Sequence, residues 1–474
     1  MPSAVISLDI GSTWTKGALF RLPGGVPDLA GAARTPTTLH DLGEGALRVV
    51  HELVEKSPGE PQEGTKVPFP VHYTSSAKGG LCVAVVGLVP SLSVHLGRLA
   101  VWSSGGRITR VLPFALTEAH MGELVASSPD MVLLTGGTDG GHEKNILHNA
   151  RMLGESPLEC AIIYAGNNHI ATAVSALLGK KRHVVVPNLM PDLGTTNEGP
   201  TRDAIREEFL GTIIQGKGLG RLVERFGRPP LPTPAAMLNL TGSIAQHHPR
   251  WENFMLVDMG GATTDVYSTS QALTDPAAVL RGITEPRIKR SVEGDMGMRV
   301  SARSLYENLE KELSLGNLKL EAIPVDLGEL RAWCDRVAAD TALLPRDDAS
   351  AALDSFLAAS CLWTAVARHS GRLERVWTTS GRIPVQHGKD LRQVPRMVLT
   401  GGWPAALGSE NLWANTTSIF PAFQGEQQLL VPENPEIFID KTYTWPLLAA
   451  LVADYPGAAR TAIHSLERSG ERGV

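Results

Sequence analysis

Short apolar runs that stop at an aspartate or a glycine recur along this chain. Val5-Ile6-Ser7-Leu8 and Phe254-Met255-Leu256-Val257 are largely apolar four-residue segments, the pattern of buried strands. Leu81 to Leu88 predicts another strand, and so does Cys160 to Gly166, which enters a helix through Asn167-Asn168-His169. Met131-Val132-Leu133-Leu134 and Met397-Val398-Leu399 add two more. Between them, Arg202 to Ile214 and Ser301 to Leu313 carry charge on one face and predict helices. Leu353, Phe356, Leu357, Cys361 and Ala365 have the three-to-four spacing of a further one. A helix is expected at Ala46 to Lys56, within a Gly-, Pro- and acid-rich stretch, residues 22 to 66, that extends from the first hairpin. A closing helix is expected from Trp445 to Ala462, before a charged tail. Alternating strands and helices argue for α/β layers with mixed sheets.

Two of the strands end in the same way. Asp9-Ile10-Gly11-Ser12-Thr13-Trp14-Thr15-Lys16 has a distant counterpart in Asp258-Met259-Gly260-Gly261-Ala262-Thr263-Thr264-Asp265. Glycine at Gly11, Gly260 and Gly261 lets the backbone approach a ligand, while Ser12, Thr13, Thr15, Thr263 and Thr264 offer hydroxyls beside backbone N–H groups. That combination suits phosphate oxygens. Asp9 and Asp258, at strand ends facing one cleft, can hold a hydrated Mg2+, an ion that keeps several of its waters. Lys16 supplies a point charge to a phosphate. The alternative is a pair of unrelated Asp–Gly hairpins; finding two such turns favours a duplicated nucleotide site.

A second pattern repeats in the same order. An apolar strand ends in Thr135-Gly136-Gly137, and another in Thr400-Gly401-Gly402; Val184-Val185-Val186-Pro187-Asn188 is echoed by Leu429-Leu430-Val431-Pro432-Glu433-Asn434. Bare glycine backbone after a strand lets a purine or ribose pack closely, which makes Gly401 and Gly402 the adenosine candidates. A strand-to-helix turn that needs positive φ is the competing reading.

Composition is compatible with this and narrows the partners. At 474 residues the chain is long for one core, and two domains are expected. With 43% hydrophobic residues, a net charge of −5 and no sustained basic run, nothing recruits nucleic acid electrostatically. Met1-Pro2-Ser3-Ala4 runs straight into the first strand, so no signal peptide is expected, and no apolar stretch approaches the roughly 18 residues of a membrane span. The cytoplasm is the expected compartment, with no membrane partner. Cys82, Cys160, Cys334 and Cys361 are isolated and read as buried small hydrophobes.

The motifs also carry a family resemblance. Asp-x-Gly-Ser-Thr-x-Thr-Lys, Asp-x-Gly-Gly-Ala-Thr-Thr-Asp and Thr-Gly-Gly resemble the first phosphate, second phosphate and adenosine motifs of the superfamily of actin, heat-shock chaperone ATPases and sugar kinases. A closer likeness lies in Leu134-Thr135-Gly136-Gly137-Thr138-Asp139-Gly140-Gly141, Tyr164-Ala165-Gly166-Asn167, Val186-Pro187-Asn188-Leu189-Met190-Pro191, Arg290-Ser291-Val292-Glu293-Gly294-Asp295-Met296-Gly297-Met298-Arg299 and Ala367-Arg368-His369. These resemble the glutamate mutase accessory family, called GlmL or MutL and unrelated to the mismatch-repair protein, from about residue 4 to residue 450.

The resemblance implies a duplicated actin-like ATPase fold: a first domain over 1–245, a second over 246–445 and a C-terminal helix and tail over 446–474, with a nucleotide cleft between two mixed-sheet domains. It implies ATP and Mg2+ as ligands. The implied activity is slow ATP hydrolysis in a chaperone that reactivates an adenosylcobalamin-dependent mutase, whose subunits are the expected partners. No Asp-x-His-x-x-Gly is present, so the chain is not expected to be the cobalamin-binding subunit. Asp9, Asp258 and Glu293 are the catalytic candidates, with Asp295 beside Glu293; a helix-capping role is the alternative for the last two. Asp139 either faces the cleft or caps a helix, and His169 and His369 read as structural. Rival functions are a small-molecule kinase, which needs a carboxylate on an acceptor hydroxyl, a nucleotide-gated scaffold without turnover, and an activator ATPase sharing an iron–sulfur cluster.

Overall fold

Strands form where the apolar runs lie, because each is buried on both faces: every residue of Ala4–Ile10 is buried, as is every residue of Met131–Gly136 and Ala161–Gly166. The computed structural model describes residues 2–38, 40–56, 69–76, 81–214, 219–271, 276–379, 381–424 and 427–470; residues 57–66 of the Gly- and Pro-rich stretch lie outside them. The chain separates into two units, one of Met1–Gly79 with Arg221–Val474 and one of Gly80–Gly220.

The first unit opens with β1 (Ala4–Ile10), β2 (Trp14–Arg21), β3 (Asp28–Pro36) and β4 (Val71–Ser75). The second unit contributes β5 (Cys82–Gly87), β6 (Arg107–Pro113), β7 (Met131–Gly136), β8 (Ala161–Gly166) and β9 (His183–Val185). The chain then returns to the first unit with β10 (Leu231–Pro232), β11 (Phe254–Met259), β12 (Thr264–Thr269), β13 (Val279–Arg281), β14 (Ile288–Glu293) and β15 (Arg372–Thr378). It ends with β16 (Gly381–His387), β17 (Arg396–Thr400), β18 (Phe423–Gln424), β19 (Gln427–Leu429) and β20 (Glu436–Ile439).

Two sheets of the first unit repeat one plan. The first has the order β10-β4-β1-β2-β3 and the second β20-β17-β11-β12-β14. In both, a hairpin (β1–β2, β11–β12) is extended by an antiparallel strand on one side and two parallel strands on the other. The fold class is thus α/β with duplicated mixed sheets flanked by helices. A third sheet, β13-β16-β15-β19-β18, belongs to the same unit. The second unit holds a wholly parallel sheet, β6-β5-β7-β8-β9.

The strand orders revise how the glycine repeat is understood. The strand that matches β17, with its Thr400-Gly401-Gly402 end, is β4; Thr135-Gly136-Gly137 closes β7 in the other unit. Likewise Val184-Val185 lies in β9 and Leu429 in β19, in sheets of different plan. A buried strand followed by a positive-φ glycine turn is a local solution that any α/β sheet can use.

Helices fall close to their expected positions at Leu42–Glu55, Gly199–Ile214, Ala302–Ser314 and Asp348–His369. The helix Asp348–His369 is long and apolar enough to cross a membrane by length and composition, but 72% of its most apolar window is buried inside the protein. It packs on Met255, Val257, Met397 and Leu399 from β11 and β17. The closing helix is in fact two, Thr444–Ala449 and Gly457–Gly470. Pro456 disfavours helical backbone at Tyr455 and interrupts the run. Trp445 reaches across the break to donate from Nε1 to the Ala462 carbonyl at 2.9 Å.

Close approach of β17 to β11 demands a glycine. Gly401 has φ of +112°, and a Cβ there would stand 2.3 Å from the Met259 carbonyl oxygen. Gly401→Ala is expected to cost about 2–4 kcal/mol by combining backbone strain with displacement of the strand end. Urea unfolding would measure it, and an unchanged midpoint would contradict this packing.

Candidate functional site

The duplicated plan brings both Asp turns together within the first unit. Each hairpin closes in the same way: the Gly11 amide donates to the Trp14 carbonyl and the Gly260 amide to the Thr263 carbonyl, both at 3.0 Å. At each glycine a Cβ would meet that same carbonyl oxygen at 2.8 Å. The turns face one another, since a Cβ on Gly261 would lie 3.3 Å from Cγ2 of Thr13.

Strand register then places the charges. Asp9 stands opposite Lys16 in its hairpin and beside Thr74 of β4; Asp258 stands opposite Asp265 and beside Thr400 of β17. Thr233 follows β10 and Asp440 follows β20, the outer parallel strands of the two sheets, although by register Asp440 lies level with Leu231, two residues before Thr233. In the first sheet Thr74 and Thr233 donate their hydroxyls to Oδ1 of Asp9 at 2.9 and 2.8 Å. In the second, Thr400 donates to Oδ2 of Asp440 at 2.8 Å, and the Thr444 and Trp445 amides donate to the same carboxylate at 2.8 and 2.9 Å.

Three carboxylates and one ammonium therefore share this place. Burial pushes Asp258 up to about 7, assisted by Asp265, Asp9 and Asp440 and opposed by Lys16. Burial also raises Asp440. Lys16 is lowered to about 8, again by burial, although Asp9, Asp258 and Asp440 all favour its charged form. Tyr443 completes the cluster. Its hydroxyl donates to Oδ2 of Asp9 at 2.8 Å, and Lys16 Nζ lies 3.1 Å from its ring centroid. Tyr443 holds a φ of +55°, a costly backbone conformation for a bulky residue.

The other sequence candidates divide into those open to the cluster and those behind it. Gly402 is exposed, and Lys16 Nζ is the nearest atom to a Cβ built there, at 3.9 Å. Ser12, Thr13, Gly261 and Thr263 are half-buried on the two turns, with Thr263 Oγ1 3.5 Å from Asp265. Thr15 and Thr264 are fully buried instead: Thr15 shares a hydrogen bond with Thr37, and Thr264 Oγ1 lies 3.0 Å from Sγ of Cys361. Their hydroxyls support the hairpins from behind. Glu293 and Asp295 both receive Arg368, at 2.7 and 3.0 Å. His369 is buried between Ser291 and Ser268, at 2.7 and 2.8 Å. In the second unit, Asp139 accepts from the Asn168 amide and from Asn188 Nδ2, each at 2.8 Å, fastening the loops after β7, β8 and β9. All four cysteines are free thiols.

Sequence reasoning missed Thr74, Thr233, Asp440 and Tyr443. Asp440 had a visible mark, an aspartate directly after the apolar strand Ile437-Phe438-Ile439, but no glycine turn follows it. It also missed the brace behind the second turn. The Met298 and Arg299 amides donate to the Gly260 and Gly261 carbonyls at 3.0 and 2.9 Å. Arg299 in turn binds buried Asp354 at 3.1 Å, and Nε1 of Trp333 and of Trp403 donate to that carboxylate at 2.9 and 2.8 Å. One carboxylate thus ties the second turn to the helix that follows Gly401.

Asp354→Ala leaves a buried guanidinium and two indole N–H groups without their acceptor, and is expected to cost about 3–5 kcal/mol. Asp354→Asn, which keeps part of the hydrogen bonding, should cost less. Losses below about 1 kcal/mol in chemical unfolding would remove Asp354 as the brace.

A model of the MutL protein family matches residues 5–466 of the chain. Protein MutL of Clostridium tetanomorphum is 34% identical over 469 residues, covering 96% of this chain and 97% of that one. Among solved structures, nucleotide-free acetone carboxylase is 15% identical with a TM-score of 0.39, covering 87% of this chain and 69% of that one. A glycerol dehydratase reactivase is 10% identical with a TM-score of 0.36, covering 95% and 99%.

Proposed function

Because the chain belongs to the MutL protein family, we propose that it binds ATP with Mg2+ at the paired turns and serves as an accessory, reactivating chaperone in the cytoplasm for an adenosylcobalamin-dependent mutase such as glutamate mutase. The supporting observation is the convergence of Asp9, Asp258 and Asp440 on Lys16 in the first unit. Three carboxylates against one ammonium leave excess negative charge, and a divalent cation bound there would relieve it. Among the described residues no three carboxylate, histidine or cysteine groups converge closely enough to ligate a metal directly. Mg2+ keeps several of its waters, and Asp9 and Asp258 would hold it through them; bound there, it would offset phosphate charge.

The chain's own groups have the remaining roles. Amides of Ser12, Thr13, Gly261 and Ala262 and the hydroxyls of Ser12, Thr13 and Thr263 meet phosphate oxygens. Lys16 supplies positive charge to the transferred phosphoryl. Gly402, open towards Lys16, marks the adenosine side. Asp258, with a pKa near 7, is better matched to accept a proton from water than Glu293, whose carboxylate is engaged by Arg368. Tyr443 stands where ligands must enter, on the Asp9 carboxylate and under Lys16, and gives way when they do.

Reactivation is tested directly by incubating the protein with ATP, Mg2+ and cobalamin-inactivated glutamate mutase. Restored turnover is expected. A mutase that stays inactive while a small acceptor is phosphorylated makes the chain a kinase.

The pH dependence of Mg-nucleotide affinity follows from the cluster. Asp258 is neutral below about 7 and cannot help hold the cation, while Lys16 loses its charge above about 8. Affinity by titration calorimetry should rise through pH 7 and fall beyond pH 8, with limbs belonging to the coupled cluster. Asp258→Asn should bind more weakly and lose the acidic limb; an unchanged profile would take Asp258 out of the site. Tyr443→Phe removes one hydrogen bond to Asp9, worth about 1 kcal/mol net, and is expected to tighten Mg-nucleotide binding about fivefold. Weaker binding would instead make the Tyr443 hydroxyl part of the ligand's contacts.

A further inference from the structure

The outer strand of the second sheet is held on one side only. β20 pairs with β17, and among the described residues no strand lies beyond it. Glu436 and Asp440 donate their amides to the Pro395 and Leu399 carbonyls at 2.9 Å, so the amides of Ile437 and Ile439 between them point away from β17. The Ile439 carbonyl accepts from the Lys441 amide at 3.0 Å; the two outward amides and the Ile437 carbonyl have no partner among the described residues. A groove of about 520 Å³ runs along this edge and is lined by every residue of β20. Trp413 and Ala414 of the helix Leu412–Ile419 line it as well, and so does Leu466 of the helix Gly457–Gly470. Ile437 packs into the same core as Trp413, and Phe438 into the same core as Leu466. The two helices therefore wall the edge from opposite faces of the sheet.

The geometry points to this groove as the docking site for an extended, lysine-bearing segment of a partner protein, which joins the five-stranded sheet as a sixth strand. Unpaired backbone groups along a strand edge are a template for another strand. Because helices wall this edge, a single extended segment reaches it where the edge of another folded sheet does not. Charge then selects the segment. Glu410, Glu433 and Glu436 line the groove against one ammonium, that of Lys441. Glu436 lies 3.7 Å from Arg396, while Glu410 and Glu433 are exposed and have no ion pair. Alternation along the incoming strand lets lysines meet these carboxylates while the residues between them face the apolar walls. The net charge of −5 on the whole chain attracts the same cations at long range. The assignment stands independently of the nucleotide reading.

A fluorescein-labelled Lys-Val-Lys-Val-Lys-Val peptide tests it by anisotropy with the full chain. Saturable binding that weakens as salt rises is expected, with none to the Glu-Val counterpart. Two further peptides carry N-methyl groups on every valine or on every lysine. Alternate residues of a strand turn their amides the same way, so one of these two should bind at least tenfold more weakly than the parent. Ala414→Trp, which narrows the groove from an exposed helix position, and the double variant Glu410→Lys/Glu433→Lys should each weaken binding at least tenfold and keep the wild-type unfolding midpoint. No binding by the wild type, parental affinity for both methylated peptides, or wild-type affinity in Ala414→Trp overturns the proposal. So does tighter binding once residues 471–474 are removed, which makes the chain's own end the occupant, or dimerisation that Ala414→Trp abolishes, which makes it a second copy.

Discussion

Crowding of acidic groups around one half-buried lysine is the constraint on which this site turns. Asp9, Asp258 and Asp440 come from strand ends of two sheets, and Lys16 is the cation they share. Each carboxylate is costly to bury ionised, and each is made tolerable in a different way. Asp9 collects three hydroxyl donors, from Thr74, Thr233 and Tyr443. Asp440 takes one hydroxyl and two backbone amides. Asp258 faces Asp265 across the hairpin and is pushed up to about 7. The cluster holds unresolved negative charge at the place where the proposed cation and phosphates would meet.

Duplication explains how the cluster is assembled and why it is asymmetric. Both sheets deliver an aspartate at the end of the first hairpin strand, a threonine at the end of the neighbouring parallel strand and a third residue after the outer strand. The third residue is Thr233 in one sheet and Asp440 in the other. Across the hairpins Lys16 answers Asp265, and Asp265 is neutralised behind the site by buried Arg290, with Nε 2.8 Å away. The repeated backbone gives one scaffold, and substitutions at matching positions give it a cationic side and an anionic side.

Rigidity behind the second turn comes from the segment Arg290 to Arg299. Its strand binds Asp265, its end holds Arg368, and its last residues clamp the Gly260 and Gly261 carbonyls through Met298 and Arg299. Gly297 within it leaves no room for a side chain, since a Cβ would lie 2.4 Å from the carbonyl carbon of Ala262. A turn held this tightly presents its amides in a fixed direction, which is what electrostatic stabilisation of a phosphoryl group requires.

The sequence by itself determined the strands that end in Asp9 and Asp258, the two glycine turns, most helices and the family resemblance. These are local patterns: apolar runs, glycines and hydroxyls spaced by the chain's own geometry. Tertiary structure alone decided which threonines stay open on the turns and which support the hairpins, because strand alternation within a paired, buried sheet turns Thr15 and Thr264 inward. It also decided that the counterpart of the Gly401 strand is β4, since strand order depends on pairing between segments far apart in sequence. Thr74, Thr233 and Tyr443 joined the site only when distant strand ends converged, Asp440 carried no more than the mark of an aspartate after an apolar strand, and the charge on Asp258 depends on the groups brought around it.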